Sequence, residues 1–487
     1  MPLLDALAPL RAHAGRRLTR GLCDERIPGL AERFPELALA IGAAAERYAE
    51  MREACAELLD LDESEQIRRV QAGVVNFYPH DTVVPYVALA ARGPWIVTLK
   101  GAVVYDTGGY GMLGLGHTPA AVLEAMARPQ AMANIMTPSL SQWLFDGALR
   151  REIGHTSGGC PYASFMFLNS GSEAMGLATR IADVNAKLMT DPGGRYEGRC
   201  IRRVSVKGSF HGRTDRPAIY SDSSRSAYER HLASFRGETS LITVPPYDED
   251  ALRRVFAEAD ANGWFIEAVL LEPVMGEGDP GRALPASFYA AARELTEAHG
   301  SLLLVDSIQA GLRAHGVLSI VDYPGFEGLR APDCETYSKA LNAGQYPLSV
   351  LAVSAESANL YHAGIYGNTM TANPRAMEVG RMVLQAFTPE LRQNIRTRGR
   401  QAVEKLERLR QSLGGAITRV QGCGLLFSCE LAPEIKCFGS GSVEEELRHR
   451  GLQVIHGGAN SLRFTPHFGV SEEELDLIVH LVEQALT

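Results

Sequence analysis

Short apolar runs separated by helical patterns fill residues 164–353, and this alternation constrains the fold more than any other feature. Uninterrupted apolar runs are typical of strands buried on both faces, because a half-exposed strand alternates polar and apolar residues. Helical patterns lie between several of them, for example at Glu173–Lys187 and Ala286–His299. The chain therefore predicts an α/β domain with a mainly parallel sheet. The runs are Ser164–Leu168, Arg203–Val206, Ala268–Leu271, Leu302–Val305 and Leu348–Val353.

The two ends of the chain have other patterns. Residues 1–72 are rich in alanine, leucine, glutamate and arginine at helical spacing, which predicts an N-terminal helical arm. Beyond residue 374 two helices precede a strand-rich tail and a last helix, which predicts a smaller α+β domain. The predicted division is an arm at 1–72, an N-terminal part of the small domain at 73–105, a large ligand-binding domain at 106–373 and a C-terminal small domain at 374–487.

Charge and composition exclude several classes of function. The 487 residues carry 57 acidic against 48 basic side chains, which argues against nucleic acid or an anionic membrane as a partner. No apolar run approaches the roughly 18 residues of a membrane span, and the N-terminus lacks the pattern of a secretory signal. The eight cysteines are scattered without a C-x-x-C pair. We therefore expect a cytoplasmic protein with reduced thiols and no metal site.

Polar residues directly after the apolar runs are the candidate site residues, because parallel sheets bind ligands at the carboxyl ends of their strands. Gly171 and Ser172 begin a helix after Leu168 and could bind a phosphate, although a Ser-Gly-Ser sequence is also an ordinary helix cap. Asp306 follows Val305 directly and is either a functional acid or a structural hydrogen-bond acceptor. Glu272 is a second acid in such a position.

Lys339 is the one cation in residues 335–350, and it lies beside an apolar run. A free ammonium group is costly to bury, whereas a lysine amine in apolar surroundings forms Schiff bases with carbonyl groups. Together with a phosphate-binding helix start, Asp306, the aromatic Phe210 and Arg213, it matches the requirements of pyridoxal phosphate. Neither a G-x-S-x-G nor an H-E-x-x-H motif is present.

Taken in order, these motifs resemble one family. Over about residues 76–485 the chain is similar to the class III (ornithine/4-aminobutyrate type) pyridoxal-phosphate aminotransferases. The resemblance implies fold type I, with a mainly parallel seven-stranded sheet in the large domain and a smaller α+β domain. The motifs are Gly116–Pro119, Asn169–Ala174, Phe210–Thr214, Glu272–Gly278, Asp306–Gln309, Ser338–Leu341, Thr369 with Asn373–Pro374, and Leu462–Phe464.

The resemblance also implies how the cofactor would be held. Lys339 would carry pyridoxal 5'-phosphate as an internal aldimine and move the substrate α-proton. Asp306 would pair with the pyridinium nitrogen, and Glu272 would support Asp306. Gln309 would hydrogen-bond the phenolic oxygen, while Phe210 would stack on one face of the ring.

The phosphate contacts implied by the resemblance come from two chains. Gly171 and Ser172 would bind the phosphate at the helix N-terminus. Thr369 would reach the phosphate of the neighbouring subunit. This arrangement requires a homodimer with shared active sites.

Substrate contacts are implied for three charged residues. In the relatives, an arginine matching Arg213 grips the distal carboxylate of 2-oxoglutarate, whereas Arg213 could equally be a solvated surface charge. Glu277 and Arg463 match a pair in which the glutamate holds the arginine until an α-carboxylate binds. A plain structural ion pair is the alternative for these two residues.

The sequence departs from the family pattern near the predicted cofactor site. Ser307 stands where the family usually has an acidic residue, and Met275 stands where it has glutamine or a similar polar residue. Residues 333–338 are more polar than in many relatives. Because Met275 and Ser307 flank the predicted site, they leave the substrate and the reaction type open.

The resulting functional hypothesis is an enzyme. It is a pyridoxal-phosphate-dependent aminotransferase that moves an amino group from an amino acid or ω-amine to a 2-oxo acid, with 2-oxoglutarate expected. The alternative is an aminomutase, racemase or epimerase on the same fold. A third hypothesis is a non-catalytic relative that serves in binding or assembly, against which Lys339 and Asp306 together argue.

Overall fold

The structure is a computed structural model that describes residues 3–108 and 110–487. Packing of the backbone divides the chain into two compact units, which we call the terminal unit and the central unit. The terminal unit comprises Met1–Ala120, Thr397–Gln421 and Phe427–Thr487, and the central unit comprises Ala121–Arg396 and Gly422–Leu426.

Helices and strands alternate through most of the described residues. The helices are α1 Leu3–Arg11, α2 Ile27–Arg33, α3 Pro35–Ala54, α4 Ala56–Leu59, α5 Glu63–Gln71, α6 Ala120–Ala127, α7 Leu140–Glu152, α8 Gly171–Thr190, α9 Asp215–Tyr220, α10 Arg225–His231, α11 Glu249–Ala261, α12 Ala286–His299, α13 Ala355–Leu360, α14 Pro374–Gln385, α15 Pro389–Ser412, α16 Val443–His449 and α17 Glu472–Leu486. The strands are β1 Ala88–Arg92, β2 Trp95–Thr98, β3 Val103–Asp106, β4 Ser164–Leu168, β5 Cys200–Val206, β6 Leu241–Val244, β7 Trp264–Leu271, β8 Leu302–Asp306, β9 Cys334–Tyr337, β10 Ser349–Val353, β11 Ile417–Cys423, β12 Leu426–Leu431, β13 Leu452–Gln453, β14 Ile455–Gly457 and β15 Ser461–Phe464.

The core of the central unit is a seven-stranded sheet with the order β4-β10-β9-β8-β7-β5-β6. The pairs from β9 to β6 are parallel, and β10 runs antiparallel to both β9 and β4. Helix α8 covers one face, where Leu177 and Ile181 pack in one buried cluster with Leu270 and Leu304 of the sheet. This mixed, mostly parallel sheet confirms the predicted α/β fold.

The register of the sheet brings three strand ends together. Leu271 at the end of β7 pairs with Val305 of β8, and Asp306 at the end of β8 pairs with Thr336 of β9. The residues that follow β7, β8 and β9 therefore emerge side by side at one edge of the sheet. Glu272 follows β7, Ser307 follows Asp306 at the end of β8, and the segment that contains Lys339 follows β9.

The terminal unit contains two four-stranded sheets, with the orders β1-β2-β3-β13 and β11-β12-β15-β14. The N-terminal arm is fixed within this unit by buried polar contacts. Lys100 Nζ donates to the carbonyl oxygens of Gly15 at 3.1 Å and of Leu59 at 3.0 Å. The carboxylate of Glu63 accepts from the backbone N–H groups of Leu18 and Thr19 at 2.8 and 2.7 Å. The arm is thus a packed part of its unit.

The compact units do not follow the predicted four segments. Helix α14 belongs to the central unit, although the predicted small domain begins at residue 374. The physical reason is close packing at Gly380, where an added Cβ would lie 2.6 Å from the ring of Phe145 and 2.7 Å from Leu348. The predicted domain boundaries therefore stay a prediction.

Candidate active site

A cavity of about 170 Å³ lies in the central unit at the carboxyl edge of its sheet. Its walls come from the start of α8, the segment after β5, the end of β8 and the segment after β9. Six residues singled out from the sequence line it, namely Gly171, Ser172, Phe210, Asp306, Gln309 and Lys339. The fold therefore joins residues that are up to 168 positions apart in the chain, as the positions of Gly171 and Lys339 show.

The start of α8 forms one end of the cavity. Ser170 caps the helix by accepting from the Glu173 N–H at 3.3 Å, and the N–H groups of the first turn lack partners within the helix. Gly171 and Gly212 allow neighbouring segments to approach closely. An added Cβ would lie 2.7 Å from Ile308 Cδ1 at Gly171 and 2.6 Å from Ser172 Oγ at Gly212, where φ is +119°. Such a helix start suits a phosphate group.

Phe210 and His211 form the wall that follows β5. The Phe210 N–H donates to Glu272 Oε1 at 3.0 Å, and the His211 N–H donates to Ser221 Oγ at 2.9 Å. These two bonds fix the backbone that presents the Phe210 ring to the cavity. The sequence assigned His211 no role, although its position directly after the aromatic residue was a usable signal.

Asp306 is held from two sides and is only 5% exposed. Its Oδ1 accepts from the Ile308 N–H at 3.2 Å, and its Oδ2 lies 3.0 Å from His211 Nδ1. His211 Nε2 is buried and has no hydrogen-bond partner among the described residues. The Asp306 carboxylate is therefore oriented by neighbours while it borders the cavity.

Glu272 lies behind this wall and does not line the cavity. Its two carboxylate oxygens accept from the N–H groups of Phe210 and Gly276, at 3.0 and 3.1 Å. Burial raises the pKa of Glu272 to about 7, and the negative charge of Asp306 adds to the rise, while His211 and the two N–H donors oppose it. Glu272 thus titrates near neutral pH.

The raised pKa of Glu272 predicts a pH dependence of stability. Between the ordinary value of 4.5 and about 7, the unfolded chain loses the Glu272 proton while the folded protein keeps it, so stability falls as pH rises. The shift corresponds to about 3 kcal/mol at 1.36 kcal/mol per pKa unit. We expect Glu272→Gln to remove this part of the slope when unfolding free energies of the cofactor-free protein are compared at pH 5 and pH 8. An unchanged slope in the variant would contradict the assignment.

Lys339 begins the 3-10 turn Lys339–Asn342 directly after β9. Its φ of +45° lies in the left-handed region, which non-glycine residues adopt at a cost and which often marks functional positions. The turn is tied down by Ser338 Oγ and Asn342 Nδ2, which donate to the Leu348 carbonyl oxygen at 2.7 and 3.1 Å. Lys339 itself is half-buried in the cavity wall.

Gln309 lines the cavity opposite a tight backbone segment. An added Cβ at Gly276 would lie 2.1 Å from Gln309 Cδ, so glycine is required for this side chain to fit. The Gly276 N–H is also one of the two donors to Glu272. The segment after β7 therefore serves both Gln309 and Glu272.

Besides Glu272, four further predicted residues lie outside the cavity wall. Arg213 is exposed, with its guanidinium 5.1 Å from the centre of the Phe210 ring. Thr369 is exposed in the segment before α14, and Glu277 is half-buried in the segment after β7. Arg463 is 3% exposed on β15 of the terminal unit.

The two departures from the family pattern, at Ser307 and Met275, are buried and do not line the cavity. Ser307 is 1% exposed, and its hydroxyl donates to Glu335 Oε1 at 2.5 Å. Met275 is also 1% exposed, with its methyl group 3.5 Å from a Cβ placed on Gly208. Ser307, which stands where the family usually has an acidic residue, is thus in direct contact with the acidic residue Glu335.

The donor set of the cavity fits pyridoxal phosphate. An amine, a carboxylate, an aromatic ring and a helix N-terminus border one space, and the buried His211 Nε2 leaves a polar atom beside Asp306. The volume is adequate for an aromatic ring, since roughly 150 Å³ accommodates benzene. Within the described residues, no three histidine, cysteine, aspartate or glutamate side chains are grouped so as to hold a metal ion.

None of the described helices combines the length and the hydropathy that are needed to cross a membrane.

Residues 77–486 match the family Aminotransferase class-III. Among curated proteins, the chain is 28% identical over 408 residues to succinylornithine transaminase from Citrobacter koseri, covering 80% of this chain and 90% of that protein. It is 28% identical over 417 residues to acetylornithine aminotransferase from Neisseria meningitidis serogroup B, with coverages of 84% and 96%. Among solved structures, ornithine aminotransferase from Toxoplasma gondii has a TM-score of 0.73 at 22% identity, covering 89% of this chain and 97% of that one.

Proposed function

The chain belongs to the class-III aminotransferase family and is a pyridoxal-phosphate-dependent aminotransferase, and we propose that Lys339 is its cofactor attachment residue and 2-oxoglutarate its amino acceptor. The observation that carries the proposal is the single cavity bordered by Lys339, Asp306 and the start of α8. The donor is an amino acid or a terminal amine. The two curated relatives are named for succinylornithine and acetylornithine, which supports a donor with a terminal amine or an amino-acid group.

The bound cofactor supplies an electron-accepting ring, and the protein contributes binding, orientation and proton transfer. The Asp306 carboxylate holds a proton at the pyridine nitrogen, and its contacts with Ile308 and His211 keep it in place. The Phe210 ring provides an apolar contact for one face of the cofactor ring. The Lys339 amine moves the proton at the substrate carbon.

Three charged residues are proposed to select the substrates. Arg213 is exposed, with its guanidinium 5.1 Å from the centre of the Phe210 ring, and a guanidinium can bind a substrate carboxylate in a bidentate manner. Arg463 is proposed to bind the α-carboxylate of one substrate, and Glu277 is proposed to pair with Arg463 while the other substrate reacts. Thr369 is proposed to contact the phosphate of a partner subunit.

A homodimer is proposed on the basis of exposed apolar side chains on α7. One face of this helix packs inward through Phe145 and Leu149, while Leu140 and Trp143 on another face are 78% and 73% exposed. A second copy of the chain is the occupant that a shared active site requires. Sedimentation equilibrium of the purified protein measures this state directly.

The eight free thiols of the described residues support a cytoplasmic location.

The acceptor assignment is tested by the consumption of 2-oxoglutarate with a panel of amines that includes ornithine and its N-acyl forms. We expect Arg213→Gln to raise the KM for 2-oxoglutarate by roughly ten- to a hundredfold, because hydrogen bonds to charged groups contribute about 1.5–3 kcal/mol. The matched control is Arg253→Gln, which removes an exposed arginine that pairs with Glu294 on the surface.

Two outcomes would contradict these assignments. An unchanged KM in Arg213→Gln would exclude Arg213 from acceptor binding. Isomerisation of a substrate in the absence of any 2-oxo acid would instead support the aminomutase, racemase or epimerase alternative.

A further inference from the structure

Glu335 is a fully buried carboxylate in the middle of β9, between β8 and β10. Within the described part of the chain, its hydrogen-bond partners are hydroxyl and backbone N–H groups, with no lysine, arginine or histidine among them. Burying a carboxylate without an opposite charge is costly unless its oxygens are satisfied by hydrogen bonds. Burial does raise the pKa of Glu335, and hydroxyl and N–H donors oppose that rise.

Four donors satisfy this carboxylate, two at each oxygen. Oε1 accepts from Ser307 Oγ at 2.5 Å and from the Ile320 N–H at 2.9 Å. Oε2 accepts from Tyr162 OH at 2.6 Å and from Ser319 Oγ at 2.5 Å. A carboxylate offers about four lone-pair positions, so the network is complete. Complete buried networks hold their members in one arrangement.

The network joins the two strand ends that carry Asp306 and Lys339. Ser307 follows Asp306 directly, and its backbone N–H also donates to the Thr336 carbonyl oxygen at 3.0 Å. Glu335 lies four residues before Lys339 on β9. The end of β8 is therefore attached to β9 both through its backbone and through the Ser307 side chain. None of these network residues lines the cavity, so any effect of the network on the cavity passes through the residues of its wall.

We propose that Glu335 is a positioning residue for Asp306, and that it acts through the hydroxyl of Ser307. The hydrogen bond fixes the residue after Asp306 relative to β9, and with it the direction in which the Asp306 carboxylate enters the cavity. The inference rests on the proposed function in one respect, namely that Asp306 faces the pyridine nitrogen of the cofactor.

The test compares Ser307→Ala with Ser319→Ala. Each change removes one hydroxyl donor from the same carboxylate, at 2.5 Å in both cases, but only Ser307 adjoins Asp306. The readouts are the dissociation constant for pyridoxal phosphate, the pH midpoint of the visible absorbance of the bound cofactor, and the thermal midpoint. We expect similar thermal midpoints for the two variants. In Ser307→Ala alone, we expect cofactor binding to weaken roughly tenfold and the pH midpoint to shift. Tenfold is the low end of the effect that is seen at metal sites when a hydrogen-bond partner of a ligand is removed.

Variants of Glu335 itself separate position from charge. In Glu335→Gln the amide oxygen can still accept from Ser307 and Ile320, while the amide group donates to the hydroxyls of Tyr162 and Ser319, which can rotate. Glu335→Gln should therefore keep the cofactor affinity and the pH midpoint of the wild type. Glu335→Ala should bind the cofactor more weakly and shift the pH midpoint. If Glu335→Ala does not fold, the two serine variants and Glu335→Gln still decide the question.

The contrary results are distinct from failure of the proposed function. Equal cofactor effects in the two serine variants, or no effect in either, would overturn the positioning role. A Glu335→Gln protein with a strongly shifted pH midpoint would show that charge acts instead of position, and would also overturn it. A wild-type protein that never acquires visible absorbance with pyridoxal phosphate would overturn the assignment of Lys339, not this inference.

Discussion

Replacement of Lys339 by alanine is expected to reduce amino transfer by at least about 10³-fold and to abolish the absorbance band of the imine between the lysine and pyridoxal phosphate. The amine is proposed to do two things, to attach the cofactor and to move a proton, and general acid–base catalysis alone contributes about 10²–10⁴-fold. The side chain is half-buried in the cavity wall and follows β9 with a strained backbone, so another lysine does not readily take its place. Steady-state rates and absorbance spectra measure both effects.

Lys187→Ala is the matched control for this experiment. Lys187 lies on α8 of the same unit, where its exposed amine pairs with Asp191 at the helix end. Its loss should change neither the spectrum nor the rate, since surface ion pairs contribute little. A Lys339→Ala protein that keeps the wild-type spectrum would contradict the role given to Lys339.

Replacement of Asp306 by asparagine is the second change with a large expected effect. Asparagine keeps the shape and an oxygen that can accept from the Ile308 N–H, but it removes the negative charge beside His211. Asp306 is proposed to stabilise charge on the pyridine nitrogen, and the loss of one preorganised electrostatic contact of this kind costs about 10²–10³-fold in kcat. We expect a loss of this size in kcat, with a smaller change in folding stability.

The control for Asp306→Asn is Asp322→Asn, which changes another buried aspartate of the central unit. Asp322 accepts from the backbone N–H groups of Gly154 and Thr156 and lies outside the cavity wall. Its replacement should lower the thermal midpoint without a comparable loss of kcat in the protein that remains folded. Equal losses of kcat in both variants would indicate that the effect of Asp306→Asn is structural.

Much of the central sheet follows from local sequence, because strands buried on both faces consist of apolar residues. The five predicted runs all lie in strands of this sheet. Strand β9 was not predicted, since Glu335 and Thr336 make its sequence polar. Glu335 is tolerated there because Tyr162, Ser307 and Ser319 satisfy it from distant parts of the chain, which no local pattern contains.

The candidate site was predictable to the extent that it follows strand ends. Asp306 ends β8 and Lys339 follows β9, and the ends of adjacent parallel strands lie at one edge of the sheet. The contact of His211 with Asp306 was not predictable, because it joins residues 95 positions apart through a side chain. Met275 and Ser307 flank the site in sequence, but both are buried and neither lines the cavity.

Reductive trapping locates the residue to which the cofactor is attached. Borohydride treatment of the protein loaded with pyridoxal phosphate converts an imine into a stable amine, and peptide mass spectrometry then locates the modified residue. We expect one stoichiometric phosphopyridoxyl group, on Lys339. Stoichiometric modification of another lysine, or none after loading, would contradict it.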